Sequence, residues 1–300
     1  MAFEAPERLV RALGETYGDD VAAGWLGRLP GLADAAVAER GLAVDRVQAP
    51  GGRSSLVLLV RRQDGTAAAL KLAPAEARPE LERAALRHWG GWGAAQLLEP
   101  DAETGEGLLL ERLHSEVSLR SLPEAKALLE AAGTLRRLWV EPPAGHGFET
   151  VGERTDRQAA AMDGALADGT AALTRAALAA RAELLAAPPE ALLLHGNFRQ
   201  SKVLSGERTP WLTVGPEPVV GERAYDLARL VRDRVEDLIA APSGASQARR
   251  RVNKLADALD VDRERLHGWT LFRAVESGLR ARTAGRTQEA ELLLEFAGWL

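Results

Sequence analysis

Between residues 195 and 204 the chain reads HGNFRQSKVL, which gathers His195, Asn197, Arg199 and Lys202 into one short segment. An imidazole can move a proton, an amide can orient a hydroxyl, and two cations can stabilise an anionic transition state. The segment carries no carboxylate. Asn197 cannot take up a proton near neutral pH, and the ammonium of Lys202 is a donor only, which repels a dication within reach. Residues 211–218, WLTVGPEP, add Gly215, which offers no side-chain ligand, and Glu217. The same residues have plainer readings. His195 reads as a structural histidine bonded to loop backbone, and Arg199 and Lys202 as solvent-directed side chains on a relaxed loop. Upstream, Lys71 closes an apolar run and Glu82 lies in the helical pattern that follows.

Those residues need elements to position them. The first forty residues carry helical periodicity through Leu9, Val10 and Leu13, then Val21, Trp25, Leu26 and Leu29, with Pro30 predicted to break the run. From residue 51, GGRSSLVLLVRRQDGTAAALKLAP sets two apolar runs around Asp64-Gly65, a hairpin signal. A helix is predicted over 79–89 with Leu81, Ala84, Ala85 and His88 on one face, and GLLLERL at 107–113 reads as a buried strand. Alanine-rich segments at 122–140 and 155–187 read as helices. Short β-like runs with Pro/Gly punctuation interrupt them over 188–221. Helical pattern resumes at AYDLARLVRDRVEDLI and continues to the end, with a break near GASQ. No 20–50-residue repeat is present, which argues against a solenoid.

This order, with Lys71 and Glu82 in it, resembles the aminoglycoside phosphotransferase superfamily, in particular its streptomycin 6-kinase and hydroxyurea phosphotransferase branch. The resemblance is carried by GGRSSLVLLV, AAALKLAP, ELERAALRHWGGWGAAQLLEPD, GLLLERL, LLLHGNFRQSKVL, WLTVGPEPVVGERAYDLARLVRD and LDVDRERLHGWTLFRAVESGL. It implies an α+β, protein-kinase-like fold of two lobes: an N-lobe over 1–113, with a small sheet and added N-terminal helices, and a helical C-lobe over 114–300 that holds the catalytic-loop hairpin. It also implies that Lys71 and Glu82 pair to hold nucleotide phosphates, and that Asp226 supports the loop. GGRSS could cover phosphates as a glycine-rich loop, a weak signal by itself.

The resemblance also shows what has changed. Family members read close to HGDLHPGNVL and WLAIDPKP at 195–204 and 211–218, with one Asp accepting the substrate proton and an Asn and a second Asp holding magnesium. Here those positions are Asn197, Lys202 and Gly215, and the loop His and Pro have become Arg199 and Gln200. The family set carries two negative charges; Asn197, Lys202 and Gly215 together carry one positive charge. At ~5 Å and an effective dielectric of ~20, one pair of unit charges is worth about 3 kcal/mol, and magnesium doubles it. A metal site so altered becomes a candidate anion site, while Glu217, where the branch places a lysine or similar residue, works against a purely cationic one. Glu217, Glu222 and Glu276 are the carboxylates that would meet a cationic aminoglycoside, with Glu222 and Glu276 reading as surface or structural.

Three functions are consistent with these residues. The first is a pseudokinase that lacks magnesium-ATP phosphoryl transfer and binds a small molecule, an antibiotic or biosynthetic intermediate, or a protein of the same pathway. The second is a repurposed enzyme using His195, Asn197, Arg199 and Lys202 without metal or ATP. The third is a noncanonical small-molecule kinase of antibiotic resistance in which Glu217 or Asp226 takes over the metal. No cofactor is expected, although ATP could bind without magnesium.

Composition narrows the rest. In 300 residues there is no cysteine, which excludes thiolate nucleophiles and cysteine-held metals and fits a reducing cytosol. His88, His114, His146 and His267 lack metal-ligand spacing. A net charge of −5 argues against nucleic acid, and the basic run ARRRVNK at 248–254 reads as a solvated helix face. The start MAFEAPERLV has no signal-peptide pattern and no stretch reaches ~18 apolar residues, so a cytoplasmic protein without a membrane span is expected. The alanine- and arginine-rich composition suggests high-GC coding of the kind common in actinobacteria.

Overall fold

The computed structural model describes residues 4–99, 107–164 and 169–300. The first three residues of MAFEAPERLV, the closing Pro100 and Asp101 of AAQLLEPD, and positions 165–168 of the predicted alanine-rich helix lie outside the described residues. The chain divides into two compact units, Met1–His114 with Gly206–Leu212, and Ser115–Ser205 with Thr213–Leu300.

In the first unit, α1 (Glu7–Tyr17) and α2 (Asp19–Glu39) precede the strands β1 (Ala43–Val47), β2 (Leu56–Arg61) and β3 (Ala67–Leu72). After α3 (Pro79–Trp89), β4 (Leu108–Glu111) completes an antiparallel sheet of order β1-β2-β3-β4. The β2–β3 hairpin runs in register from Leu56 opposite Leu72 to Arg61 opposite Ala67. Its turn is fixed where the Thr66 backbone N–H donates to Asp64 Oδ1 at 2.9 Å. Leu9 and Leu13 of α1 and Trp25, Leu29, Ala33 and Ala36 of α2 share one core with Leu56, Leu58, Val60, Leu70 and Leu72.

Two sequence expectations change here. α2 runs through Pro30 rather than ending at it. The ring removes one backbone hydrogen bond, but Trp25, Leu29, Ala33 and Ala36 on both sides bury a continuous stripe, and that packing outweighs the break. On α3 the inward face is Glu82, Ala85, Leu86 and Trp89, and His88 is exposed. The helix is turned by a charged group that the hydrophobic pattern alone would have left outside.

The second unit carries β5 (His114–Ser118), which begins at the division, then α4 (Glu124–Leu138), α5 (Val151–Asp163) and α6 (Ala171–Ala186). The strands β6 (Leu192–Leu194), β7 (Val203–Ser205) and β9 (Val219–Gly221) interrupt the helices, and β8 (Trp211–Thr213) falls on the division, with Trp211 and Leu212 in the first unit and Thr213 in the second. Five helices complete it: α7 (Arg223–Val231), α8 (Val235–Ala240), α9 (Gly244–Leu259), α10 (Arg263–Thr283) and α11 (Thr287–Ala297). β6 and β9 pair antiparallel, Leu192 opposite Gly221 and Leu194 opposite Val219. α10 is the central helix, packed by α6, α7 and α11. Its Trp269 meets Tyr225 and Phe272 edge-on at ring separations of 5.2 and 6.0 Å. GASQ opens α9, so the break falls just before it.

The basic run is only partly a solvated face. Arg249, Arg250, Asn253 and Lys254 are exposed, whereas Arg251 is buried and donates to the Val231 and Asp233 carbonyls at 2.9 and 2.5 Å. Among the described residues no helix is long and apolar enough to cross a membrane.

Candidate functional site

In the first unit, β3 and α3 bring Lys71 and Glu82 together, with Lys71 Nζ donating to Glu82 Oε2. The side chains are only 13% and 7% exposed, so the pair sits where an unmatched charge would be costly. Glu82 Oε1 is buried and has no hydrogen-bond partner among the described residues.

In the second unit, the segment after β6 is held from below by α7 and α10. Asp226 on α7 accepts from the backbone N–H groups of His195 and Gly196, both at 2.9 Å, one on each carboxylate oxygen. Burial pushes the Asp226 carboxyl above its usual range, opposed by Arg273 and by those two donors. Arg273 on α10 donates to the carbonyls of Tyr225 and Gly196 at 2.7 and 2.8 Å. Gly196 has φ +73, and a Cβ there would lie 1.9 Å from the Glu217 carbonyl oxygen, so only glycine lets the two segments approach. The Glu217 backbone N–H returns to the His195 carbonyl at 2.9 Å, and Arg154 on α5 donates to the carbonyls of Glu217 and Pro218 at 3.0 and 3.1 Å.

His195 is fully buried. Its Nδ1 accepts from the Asn197 backbone N–H at 3.2 Å, which places the proton on Nε2 for Thr213 Oγ1 at 2.9 Å. Thr213 in turn donates to the Lys202 carbonyl at 3.2 Å. Burial, with Lys202 next in weight, holds the imidazole pKa well below its ordinary value. A neutral ring with both nitrogens engaged ties the loop together and leaves none for a substrate.

Lys202 is half-buried rather than extended into open solvent. Its Nζ donates to the Gly215 carbonyl at 2.6 Å. Gly215 has φ +61, and a Cβ there would meet Lys202 Nζ at 3.3 Å, so the ammonium lies against the position where the family pattern carries its second Asp. Asn197 is buried; its Nδ2 donates to Glu217 Oε1, and its Oδ1 has no partner among the described residues. Glu217 is exposed as a residue while its carboxylate is partly desolvated. Desolvation pushes its pKa up, but Lys202, Arg229, Arg154 and Arg273 outweigh it and hold the group below the ordinary carboxylate range.

Magnesium does not fit this donor set. Gly215 has no side-chain oxygen and its carbonyl is taken by an ammonium. Both oxygens of Asp226 are taken by backbone donors, and Glu217 is bound to an amide among four cations.

The remaining predicted groups act as supports. Glu222 is buried, receiving Arg265 and the Trp269 indole N–H, and Glu276 pairs with Arg280 at 2.8 Å. Sequence reading did not single out Arg154, Arg273 or Arg229. Arg229 carried a usable signal: it stands one helical turn after Asp226, on the face that already touches the loop.

Together the antiparallel sheet with its Lys–Glu pair and the helical unit with its Asp-supported loop define a protein-kinase-like fold of the small-molecule phosphotransferase type. Aminoglycoside phosphotransferase APH(4)-Ia has the same fold, with a TM-score of 0.60 at 16% identity over 87% of this chain and 94% of that one. The sequence profile of the aminoglycoside/hydroxyurea antibiotic resistance kinases matches residues 40–285, and the chain belongs to that family. The streptomycin 6-kinase of Streptomyces glaucescens is 33% identical over 281 residues, covering 92% of this chain and 90% of that protein. The hydroxyurea phosphotransferase of Kitasatospora aureofaciens is 38% identical over 263 residues, covering 82% and 74%.

Proposed function

We propose that this chain is a family member without magnesium-dependent phosphoryl transfer, a pseudokinase that binds a small molecule of an antibiotic or natural-product pathway. The observation that carries this reading is the Lys202 ammonium, 2.6 Å from the Gly215 carbonyl, against the position where the family places a metal-binding carboxylate. Phosphoryl transfer relies on positioning and on neutralising phosphate charge by metal. A chain that replaces those ligands with a cation and two uncharged residues lacks both the metal and the base. The retained Lys71–Glu82 pair and the intact loop supports favour a binding protein over an unfolded relic.

The names of the relatives favour a second reading, a small-molecule kinase acting on an antibiotic, since they are a streptomycin 6-kinase and a hydroxyurea phosphotransferase. That reading requires Glu217 or Asp226 to bind magnesium, and the existing partners of both carboxylates oppose it.

Calorimetric titration of ATP, with magnesium and then with chelator, separates the two. The expected result is no magnesium-dependent binding and no ATP consumption with streptomycin or hydroxyurea present. Binding that strictly requires magnesium, with turnover, establishes the kinase instead.

A further inference from the structure

The candidate loop is gripped a second time, at a residue where the family pattern has proline. Gln200 opens the short turn Gln200–Lys202 and is fully buried. Its backbone N–H donates to Asp233 Oδ2 at 2.5 Å, and its side-chain Oε1 accepts from Arg234 Nε at 2.7 Å. Proline has neither that N–H nor the amide, so neither bond can form where proline stands. Asp233 and Arg234 belong to the turn between α7 and α8, and that turn is itself fixed. Arg251 on α9 donates to the Val231 and Asp233 carbonyls. Arg234 Nη2 donates to the carbonyls of Leu119, Arg120 and Leu122 at 3.1, 3.2 and 2.9 Å. Gln200 Nε2, by contrast, is buried without a hydrogen-bond partner among the described residues. A buried amide with an idle donor is unfavourable as packing alone, so the two bonds Gln200 does make are its contribution.

Two residues on, the same turn presents Lys202. Its N–H donates to the Arg199 carbonyl at 2.9 Å, and its own carbonyl accepts from the Val214 N–H at 2.9 Å and from Thr213 Oγ1 at 3.2 Å. The segment carrying the ammonium is thus pinned at its start by Asp233 and Arg234 and at its end by Thr213 and Val214. We propose that Gln200, held by Asp233 and Arg234, is the positioning residue that seats Lys202 against the Gly215 carbonyl. This deepens the pseudokinase reading, on which it rests: the change from proline to glutamine in the loop supports the cation that lies where the family pattern has its second Asp.

Competitive reductive methylation of the native protein, read by mass spectrometry, tests this. The chain has four lysines, and Lys126 and Lys254 are exposed references within the same unit. Gln200→Pro removes both bonds at a backbone position that accepts it, since Arg199 is extended at φ −163 and ψ 157, as the residue before a proline prefers. In the parent, Lys202 should label more slowly than either reference. In Gln200→Pro it should label about tenfold faster, the loss of one charge-assisted hydrogen bond at its anchor, while amide hydrogen exchange in α10 stays as in the parent. Asp233→Asn keeps the side-chain shape and drops its charge. It should speed Lys202 by a smaller factor, and it carries the test if the proline variant does not fold. A Lys202 rate unchanged in the folded variants overturns the proposal. So does a faster Lys202 accompanied by faster exchange throughout α10, which marks general opening of the unit rather than release of one side chain. No nucleotide or magnesium enters the measurement, so magnesium-dependent turnover in the ATP titration would refute the pseudokinase reading separately.

Discussion

The Lys71–Glu82 pair and the 195–217 segment are the two charged centres that the family pattern assigns to nucleotide chemistry, and they have diverged in opposite ways. In the first unit both charges remain, matched and buried, with a free acceptor on Glu82. In the second, the frame is held while the presented residue types differ from the family pattern: Asp226 and Arg273 hold the loop by main-chain bonds, and the positions they present carry Asn197, Lys202 and Gly215. Supports made through backbone N–H and carbonyl groups tolerate a change of side chain on the loop they hold. A loop held in this way can change its side chains without changing its shape.

The comparison breaks most directly at the support. Asp226→Ala would leave two buried N–H groups unpaired and remove the counter-charge of Arg273, and is expected to cost about 3–5 kcal/mol in urea unfolding. A loss under ~1 kcal/mol would mean that the loop does not depend on α7. Next, the combined Asn197→Asp, Lys202→Asn and Gly215→Asp variant should gain magnesium-dependent ATP binding, read by calorimetry with and without chelator. Removing the ammonium alone relieves about 6 kcal/mol of repulsion toward the dication, on the order of ten-thousandfold in metal affinity. Gly215→Asp by itself should fail, because the Lys202 ammonium lies against its Cβ and would take the new carboxylate in place of magnesium. A triple variant that still ignores magnesium would show that the frame too has moved away from nucleotide. Glu82→Gln is the matching change in the first unit. It keeps the shape but removes the charge facing Lys71, and should cost about 1–3 kcal/mol.

Much of the fold was legible because it rests on periodicity and turn chemistry. The β2–β3 hairpin followed from two apolar runs around Asp64-Gly65, and α3 from Pro79 to Trp89. Pro30 misled because helix-breaking is a local rule, and the stripe of Trp25, Leu29, Ala33 and Ala36 is a tertiary fact. The face of α3 misled for a related reason: Glu82 turns inward for Lys71, which lies on a strand eleven residues earlier in sequence. At the candidate loop the altered residue types were plain in the sequence. Their partners were not, since Lys202 reaching Gly215, Arg154 reaching Glu217 and Arg273 reaching Gly196 are contacts between separate segments.

The smallest effect concerns His195, whose neutral, doubly bonded ring distinguishes the second centre from the Lys71–Glu82 ion pair in the first. Its folded pKa lies well below the ordinary value near 6.5. The unfolded chain therefore binds a proton that the folded protein resists. Stability from this group is complete above about pH 6.5 and declines as pH falls toward the folded pKa. Between pH 7.5 and 5.5 the loss is expected to be about 1 kcal/mol, since each unit below the unfolded pKa is worth at most ~1.4 kcal/mol. Asp226, raised by burial, acts in the opposite sense: its destabilising contribution grows as pH rises from the unfolded carboxylate range through its folded value. Urea unfolding of the parent and of His195→Gln at both pH values checks the assignment. The variant lacks the titrating ring, so its stability should change less between the two pH values whatever its absolute loss. An equal pH dependence in both proteins would place the titrating group elsewhere and would remove the argument that this loop is built around an imidazole kept neutral by burial and, next, by Lys202.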